Sequence, residues 1–251
     1  MISLQKISEL ATKEQTTDIN IARDYLQHLF LSHFYKKPDS ENFLFKGGTA
    51  LRIIFGSPRY SEDLDFSIPK LDIKKIEDLL TGTFANLESE GIITKFDIEY
   101  AEPTTGGYIA NINLDILGFK TGIKSNLQIK YDNSQLEKEA HIIENAPFLT
   151  SYSLTALNRK LIVQEKIQAL IQRSMPRDFF DFYFIMRKDG LKEYITRNED
   201  TVIGILNALE GVSDKSLEDD LKPFLPVNFQ SSIGNLKTAI KQNLGQYERE
   251  N

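Results

Sequence analysis

Residues 46 to 66 read KGGTALRIIFGSPRYSEDLDF. Two glycines, Gly47 and Gly48, precede a short apolar stretch, a Gly-Ser-Pro break and a segment in which Asp63 and Asp65 alternate with Leu64 and Phe66. Glycine permits positive φ and lets the backbone approach a ligand closely, and a helix starting at residue 49 would turn its unpaired N–H groups toward an anion above the turn. Phosphate suits that place. Thr49 adds a hydroxyl, and Lys46 adds charge only if its side chain turns inward. Strand side chains alternate, so Asp63 and Asp65 share one face while Leu64 and Phe66 take the other. Two adjacent carboxylates repel and favour a cation between them. Mg²⁺ (or Mn²⁺) takes one or two carboxylates together with waters and phosphate oxygens. Such an ion would bridge a nucleoside triphosphate (NTP) and stabilise the leaving pyrophosphate, which is the chemistry of nucleotidyl transfer. Alone, a double glycine is an ordinary turn and D-x-D the solvent face of an edge strand. Their order within about twenty residues is what joins them.

Outward from this stretch, FLF at 43 to 45 reads as a buried strand, 49 to 55 as a short helix ended by Gly56, Ser57 and Pro58, and 63 to 68 as a second strand. Upstream, Ile21, Tyr25 and Leu29 recur at helical spacing within 18 to 36, with Asp18 placed to cap the start. Downstream, 72 to 90 is an amphipathic helix with Gly91 at its stop, and strand-like segments follow at 92 to 100, 108 to 118 and 126 to 131, with Thr104 to Gly107 as a hairpin turn. From about Ser151 the patterns are helical, at 155 to 173, 176 to 187, 191 to 209 and 231 to 247, with Pro223 to Pro226 as a connector. The expectation is an α+β chain. A mixed-sheet core over 1–150 is followed by a helical domain over 151–251 that completes the active-site cleft.

The chain has 251 residues, 41% of them hydrophobic and 16 of them Phe, which is enough for two real cores and argues against large-scale disorder. Zero cysteines exclude disulfide frameworks, thiolate zinc sites and cysteine nucleophiles, and three histidines leave little for a zinc site or a catalytic triad. His28 and His33 are five apart on one helix and read as ordinary helix residues. A hard-cation carboxylate site is what remains. No apolar run approaches the length of a membrane span, and the N-terminus carries charge throughout, so a cytoplasmic protein is expected. The net charge of -6 argues against a generally basic surface but permits a local groove for an RNA backbone, with Arg52, Arg59, Arg159, Lys160 and Arg173 as candidates. Neither GxxxxGKS nor GxGxxG occurs, which sets P-loop and dinucleotide folds aside.

A second constellation lies in 159 to 181, RKLIVQEKIQALIQRSMPRDFFD. Arg159, Lys166 and Arg173 stand seven apart and form one stripe of a helix, Pro176 suits the first turn of the next, and Asp178 and Asp181 share a face three apart. A solvated basic stripe with an Arg177–Asp181 pair explains the same spacing without any function. The run Phe179, Phe180, Phe182, Tyr183, Phe184 reads as core rather than as a base-stacking platform.

KGGTAL at 46 to 51, RYSEDLDF at 59 to 66 and EKIQALIQR…RDFFDFYFI from 165 to 185 together resemble the AbiEii-type nucleotidyltransferase toxin family, related to the MenT toxins of the polymerase-β-like superfamily. The resemblance spans about residues 20 to 190 and implies a minimal polymerase-β-like nucleotidyltransferase core followed by a helical domain. It implies that Gly48 and Thr49 form the nucleotide-phosphate turn, beside Gly47 as a further candidate substrate contact, that Asp63 and Asp65 bind the metal, that Lys166 contacts the triphosphate and that Asp181 helps catalysis as a general base. Arg173, Arg177 and Asp178 fall at family-typical positions, and Arg52 joins Arg173 and Arg177 as a candidate substrate contact. Relatives of this superfamily often carry a third carboxylate on a neighbouring strand. Asp115 and Asp132 are the candidates, Lys130 stands where an acid would be expected, and Asp181 is a further substitute. The resemblance also implies a toxin in a bacterial toxin–antitoxin or phage-defence pair, a cognate antitoxin, and transfer of a nucleoside monophosphate to RNA, the tRNA acceptor end being the known target of some members. A catalytically silent nucleotide- or RNA-binding module, and an enzyme modifying a protein or small molecule, are the alternatives.

Overall fold

The computed structural model describes residues 2–68, 73–102, 107–115, 123–131, 136–144, 146 and 149–247. The chain divides into two compact units, Met1–Gly56 with Tyr60–Asn158, and Ser57–Arg59 with Arg159–Asn251.

The first unit runs α1 (Leu4–Lys13), α2 (Asp18–Phe34), β1 (Leu44–Lys46), α3 (Gly47–Ile53), β2 (Leu64–Ile68), α4 (Ile73–Ser89), β3 (Ile93–Glu102), β4 (Gly107–Asp115), β5 (Ile123–Tyr131), β6 (Lys138–Ile143) and β7 (Tyr152–Leu157). The strands form one sheet in the order β3-β4-β5-β2-β1-β7-β6. It is mixed. β2 runs antiparallel to β1 and parallel to β5, and β1 is parallel to β7. The α+β expectation holds.

Helix α2 is capped by Thr17, whose hydroxyl accepts from the Asn20 N–H, with Asp18 one place inside the first turn rather than at the cap. It is buried on nearly every side, so it shows no simple apolar stripe. It packs beside α4 and across β5 and β7, while α4 packs on β3. The core between these layers is aromatic. Phe34 meets Phe30, Phe43 and Phe66 at ring-centroid separations of 5.5, 5.2 and 5.5 Å, and Phe45 meets Phe66 at 5.5 Å. Leu64 and Phe66 point into that core, while Asp65 between them stays half-buried, as strand alternation requires.

The second unit contains α5 (Arg159–Arg173), α6 (Pro176–Arg187), α7 (Glu199–Gly211), α8 (Asp214–Leu221), α9 (Val227–Gln230) and α10 (Leu236–Tyr247). Phe179, Phe180 and Phe182 are fully buried, which agrees with the core reading of that aromatic run. Three sequence expectations need correction. Residues 155 to 157 belong to β7 and the helical run begins at Arg159; β6, α1 and α8 were not foreseen; and 191 to 198 holds only a 3₁₀ turn at Lys192–Tyr194 before α7 begins. The residues Thr104 to Gly106 of the expected hairpin turn lie outside the described residues. Among the described residues no helix is long and apolar enough to cross a membrane.

Candidate active site

Gly47 opens α3 with φ at 81°. The register that pairs Lys46 with Asp65 carries the Asp65 side chain directly against this glycine. A Cβ built at Gly47 would stand 2.8 Å from Asp65 Cγ and closer still to Oδ2. Only glycine fits there, both for its left-handed backbone and for the carboxylate on top of it. Asp63 precedes the first residue of β2, and like Asp65 it is half-buried. Its carbonyl accepts the hydroxyl proton of Thr49, a residue with no exposed surface. The turn and the acid pair are therefore one built object, joined at two points. This revises the role expected of Thr49: its one hydroxyl proton is already given to the backbone of Asp63, so it fastens the acids to the turn instead of binding phosphate.

Asp65 is flanked across the sheet by Lys46 on β1 and Gln128 on β5. The strand β5, IKSNLQIKY, contains no acid. Asp115 is not the third carboxylate. Gln128 pairs with Ile109 on β4, and Asp115 lies six positions farther along that strand, about 20 Å from the level of Asp65 at the usual rise per residue. Asp132 lies outside the described residues. Among the described residues no cluster of three or more His, Asp or Glu gathers. Among the described residues the donor set is two carboxylates beside a glycine turn, which fits the habit of Mg²⁺ of using few protein oxygens and completing its shell with water and substrate.

Arg52 is not placed as a substrate contact. Its guanidinium grips Asp24 of α2 with Nε at 2.6 Å and Nη2 at 3.2 Å and lies 3.5 Å over the Tyr60 ring. Burial pulls the Arg52 guanidinium down, but Asp24 outweighs it and raises it above its ordinary value. Burial likewise pushes the Tyr60 phenol up to about 12. Arg23 pairs with Glu62 at 3.0 Å, and Gln27 donates to the Ser61 carbonyl at 3.0 Å. Sequence reasoning missed Arg23, Asp24 and Gln27. The available signal was a run of polar residues inside an otherwise apolar helix.

In the second unit the stripe Arg159, Lys166, Arg173 is not uniformly solvated. Lys166 is buried and donates to Asp181 Oδ2 at 2.8 Å. Arg59 closes on the same carboxylate with Nε at 2.8 Å and Nη2 at 3.0 Å, a bidentate grip that the sequence did not suggest because the two residues are 122 apart. Asp181 is 1% exposed. Burial alone pushes its carboxyl up, but Arg59 and Lys166 overcome this and hold it at about 2. A carboxylate so poised anchors two cations and is a poor general base near neutral pH. Arg59 is correspondingly unavailable to an RNA backbone. Arg173 is forked onto buried Asp178 at 2.7 Å through both Nε and Nη2. Arg177 reaches Asp220 at 3.5 Å and sits 5.5 Å from the Phe224 ring centroid, not on Asp181 as spacing allowed.

Set beside known proteins, residues 29–227 match the model of a family described as nucleotidyl transferase AbiEii toxin, type IV TA system. The structure superposes on that of JHP933 from Helicobacter pylori with a TM-score of 0.63 and 19% identity, covering 94% of this chain and 96% of the other. It superposes equally on a candidate nucleotidyltransferase from H. pylori, with a TM-score of 0.64, 19% identity and coverage of 94% and 99%. At that identity the likeness is one of fold. No curated protein matches the sequence.

Proposed function

The chain belongs to the AbiEii nucleotidyltransferase toxin family, and from that premise we propose that it transfers a nucleoside monophosphate from an NTP to a hydroxyl of RNA, at the acceptor end of tRNA. Family membership carries nucleotidyl transfer and a place in a toxin–antitoxin pair, hence a cognate antitoxin. The RNA acceptor, a role in phage defence, a cytoplasmic site of action and dependence on Mg²⁺ are the parts we add. The observation that carries the reading is the packing of Asp65 on Gly47 together with the Thr49–Asp63 bond, which makes the phosphate turn and the acids a single site.

Asp63 and Asp65 would hold the divalent ion, which when bound neutralises triphosphate charge and stabilises the leaving pyrophosphate. The bare backbone of Gly47 and Gly48 lets the triphosphate come close to the acids. The family resemblance assigns Lys166 to the triphosphate, and within its own unit Lys166 donates to Asp181. Asp181 holds the Lys166 ammonium in place. Arg173 is paired with Asp178 and Arg177 with Asp220.

The test is to incubate the purified protein with each labelled NTP, Mg²⁺ and total RNA, beside an Asp63→Ala control. Label is expected in tRNA for the native protein alone. Equal label in both samples, or none in either, would sink the catalytic reading. The acid-free β5 favours a second reading, a module that binds nucleotide without turning it over. That outcome would show as NTP binding with no label transferred.

A further inference from the structure

Asp63 stands outside the hydrogen-bonded ladder, since β2 begins at Leu64. Sheet pairing therefore does not set its position. The four residues from Tyr60 to Asp63 have no regular structure, yet each is fastened to a helix of its own unit. Tyr60 lies under Arg52, which Asp24 grips at both ends of its fork. The Ser61 carbonyl accepts from Gln27, and Glu62 pairs with Arg23. The Asp63 carbonyl accepts from Thr49. Arg23, Asp24 and Gln27 fall at i, i+1 and i+4 on α2, so one polar stripe of one helix supplies two of the four tethers and braces the arginine that makes a third. All three residues are at most 8% exposed. Burying such groups is costly unless they are paired, and an apolar stripe would pack the same helix more cheaply. The cost goes with accurate placement of the segment that ends in Asp63.

We infer that Arg23, Asp24 and Gln27 are positioning residues that aim the Asp63 carboxylate for its divalent cation. This rests on the reading of Asp63 and Asp65 as the metal pair. Partners that orient a ligand are worth about tenfold or more in metal affinity, although they never touch the ion. The role differs from simple charge. Arg23 is a cation close to Asp63, so by Coulomb's law alone its removal would tighten cation binding.

The measurement is Mn²⁺ titration of the nucleotide-free protein followed by electron paramagnetic resonance, with a melting curve for each variant. Gln27→Met and Arg23→Met should each weaken Mn²⁺ binding about tenfold. Thr83→Val removes a buried hydroxyl bonded to Leu79 elsewhere in the unit and should lower stability while leaving Mn²⁺ affinity unchanged. Asp63→Asn should abolish binding. Gln27 and Arg23 hold different residues, so either variant suffices if the other does not fold. Native affinity in Gln27→Met, or tighter binding in Arg23→Met, would overturn the inference while leaving the metal pair intact. Native affinity in Asp63→Asn would remove the metal pair and the stripe's role together.

Discussion

Asp63 and Asp65 stand half-buried beside a glycine turn, whereas Asp181 is sealed between Arg59 and Lys166 with 1% of its surface exposed. All three are carboxylates, and in the reading proposed above their surroundings give them opposite tasks. The neighbours of Asp63 hold its own carbonyl and the residues just before it: Thr49 donates to the Asp63 carbonyl, Gln27 to the Ser61 carbonyl, and Arg23 pairs with Glu62. Around Asp181 the cations hold the carboxylate itself. The difference teaches that a shared motif does not fix a shared role. A ligand for a mobile cation must keep oxygens available, while an anchor must surrender them.

Removing each kind of acid should break different properties. Asp181→Ala leaves Arg59 and Lys166 buried without their counter-charge, and the expected loss is about 3–5 kcal/mol of folding stability, read by urea unfolding. Asp65→Asn under the same assay should lie within about 1 kcal/mol of the native protein while losing its activity. A comparable stability loss in both would erase the distinction. Gly47→Ala probes the contact between turn and acid. The new methyl meets Asp65 and forces a left-handed backbone on alanine, so about 3 kcal/mol of strain is expected. Turnover should fall as well, because Asp65 must move.

Acid offers the smallest and most selective probe. Asp181 titrates at about 2 when folded and near 3.9 when unfolded, so its contribution is complete above about pH 5 and disappears as pH falls through 4 toward 2. About 2 kcal/mol of stability should vanish over that window. Burial lowers the His28 imidazole, which bonds Tyr152 at 2.9 Å, so a gentler decline begins sooner, below about pH 6.5. Unfolding free energies measured from pH 7 to pH 3 should show both phases, and Asp181→Asn should lack the lower one.

The parts legible in the sequence were those encoded locally. The GGT turn, the helix after it and the alternation through Asp63 to Phe66 each follow from neighbouring residues. The strand β7 was hidden because Tyr152, Leu154 and Ala156 alternate just ahead of a helical pattern, and its place depends on Phe45 pairing with Ala156 far away in sequence. Helix α8 has only Leu217 and Leu221 as buried residues, too thin a stripe to stand out, although Ser213 was a readable cap. At the site, residue identity was legible and partnership was not. Nothing near Arg59 announces Asp181, nothing near Arg52 announces Asp24, and the hydroxyl of Thr49 could have faced either a phosphate or the backbone. Those choices are made by tertiary packing.

The assignment of Ser57–Arg59 to the helical unit has a consequence for how the protein comes into being. On the ribosome Arg59 emerges long before Asp181 and Lys166 exist. The sheet unit can collapse around its phenylalanines as soon as β7 is made, but three residues of its own connecting loop must wait for chain not yet synthesised. The helical unit is thus finished with a piece laid down early, and an isolated stretch beginning at Arg159 would assemble its helices around an aspartate lacking its strongest partner.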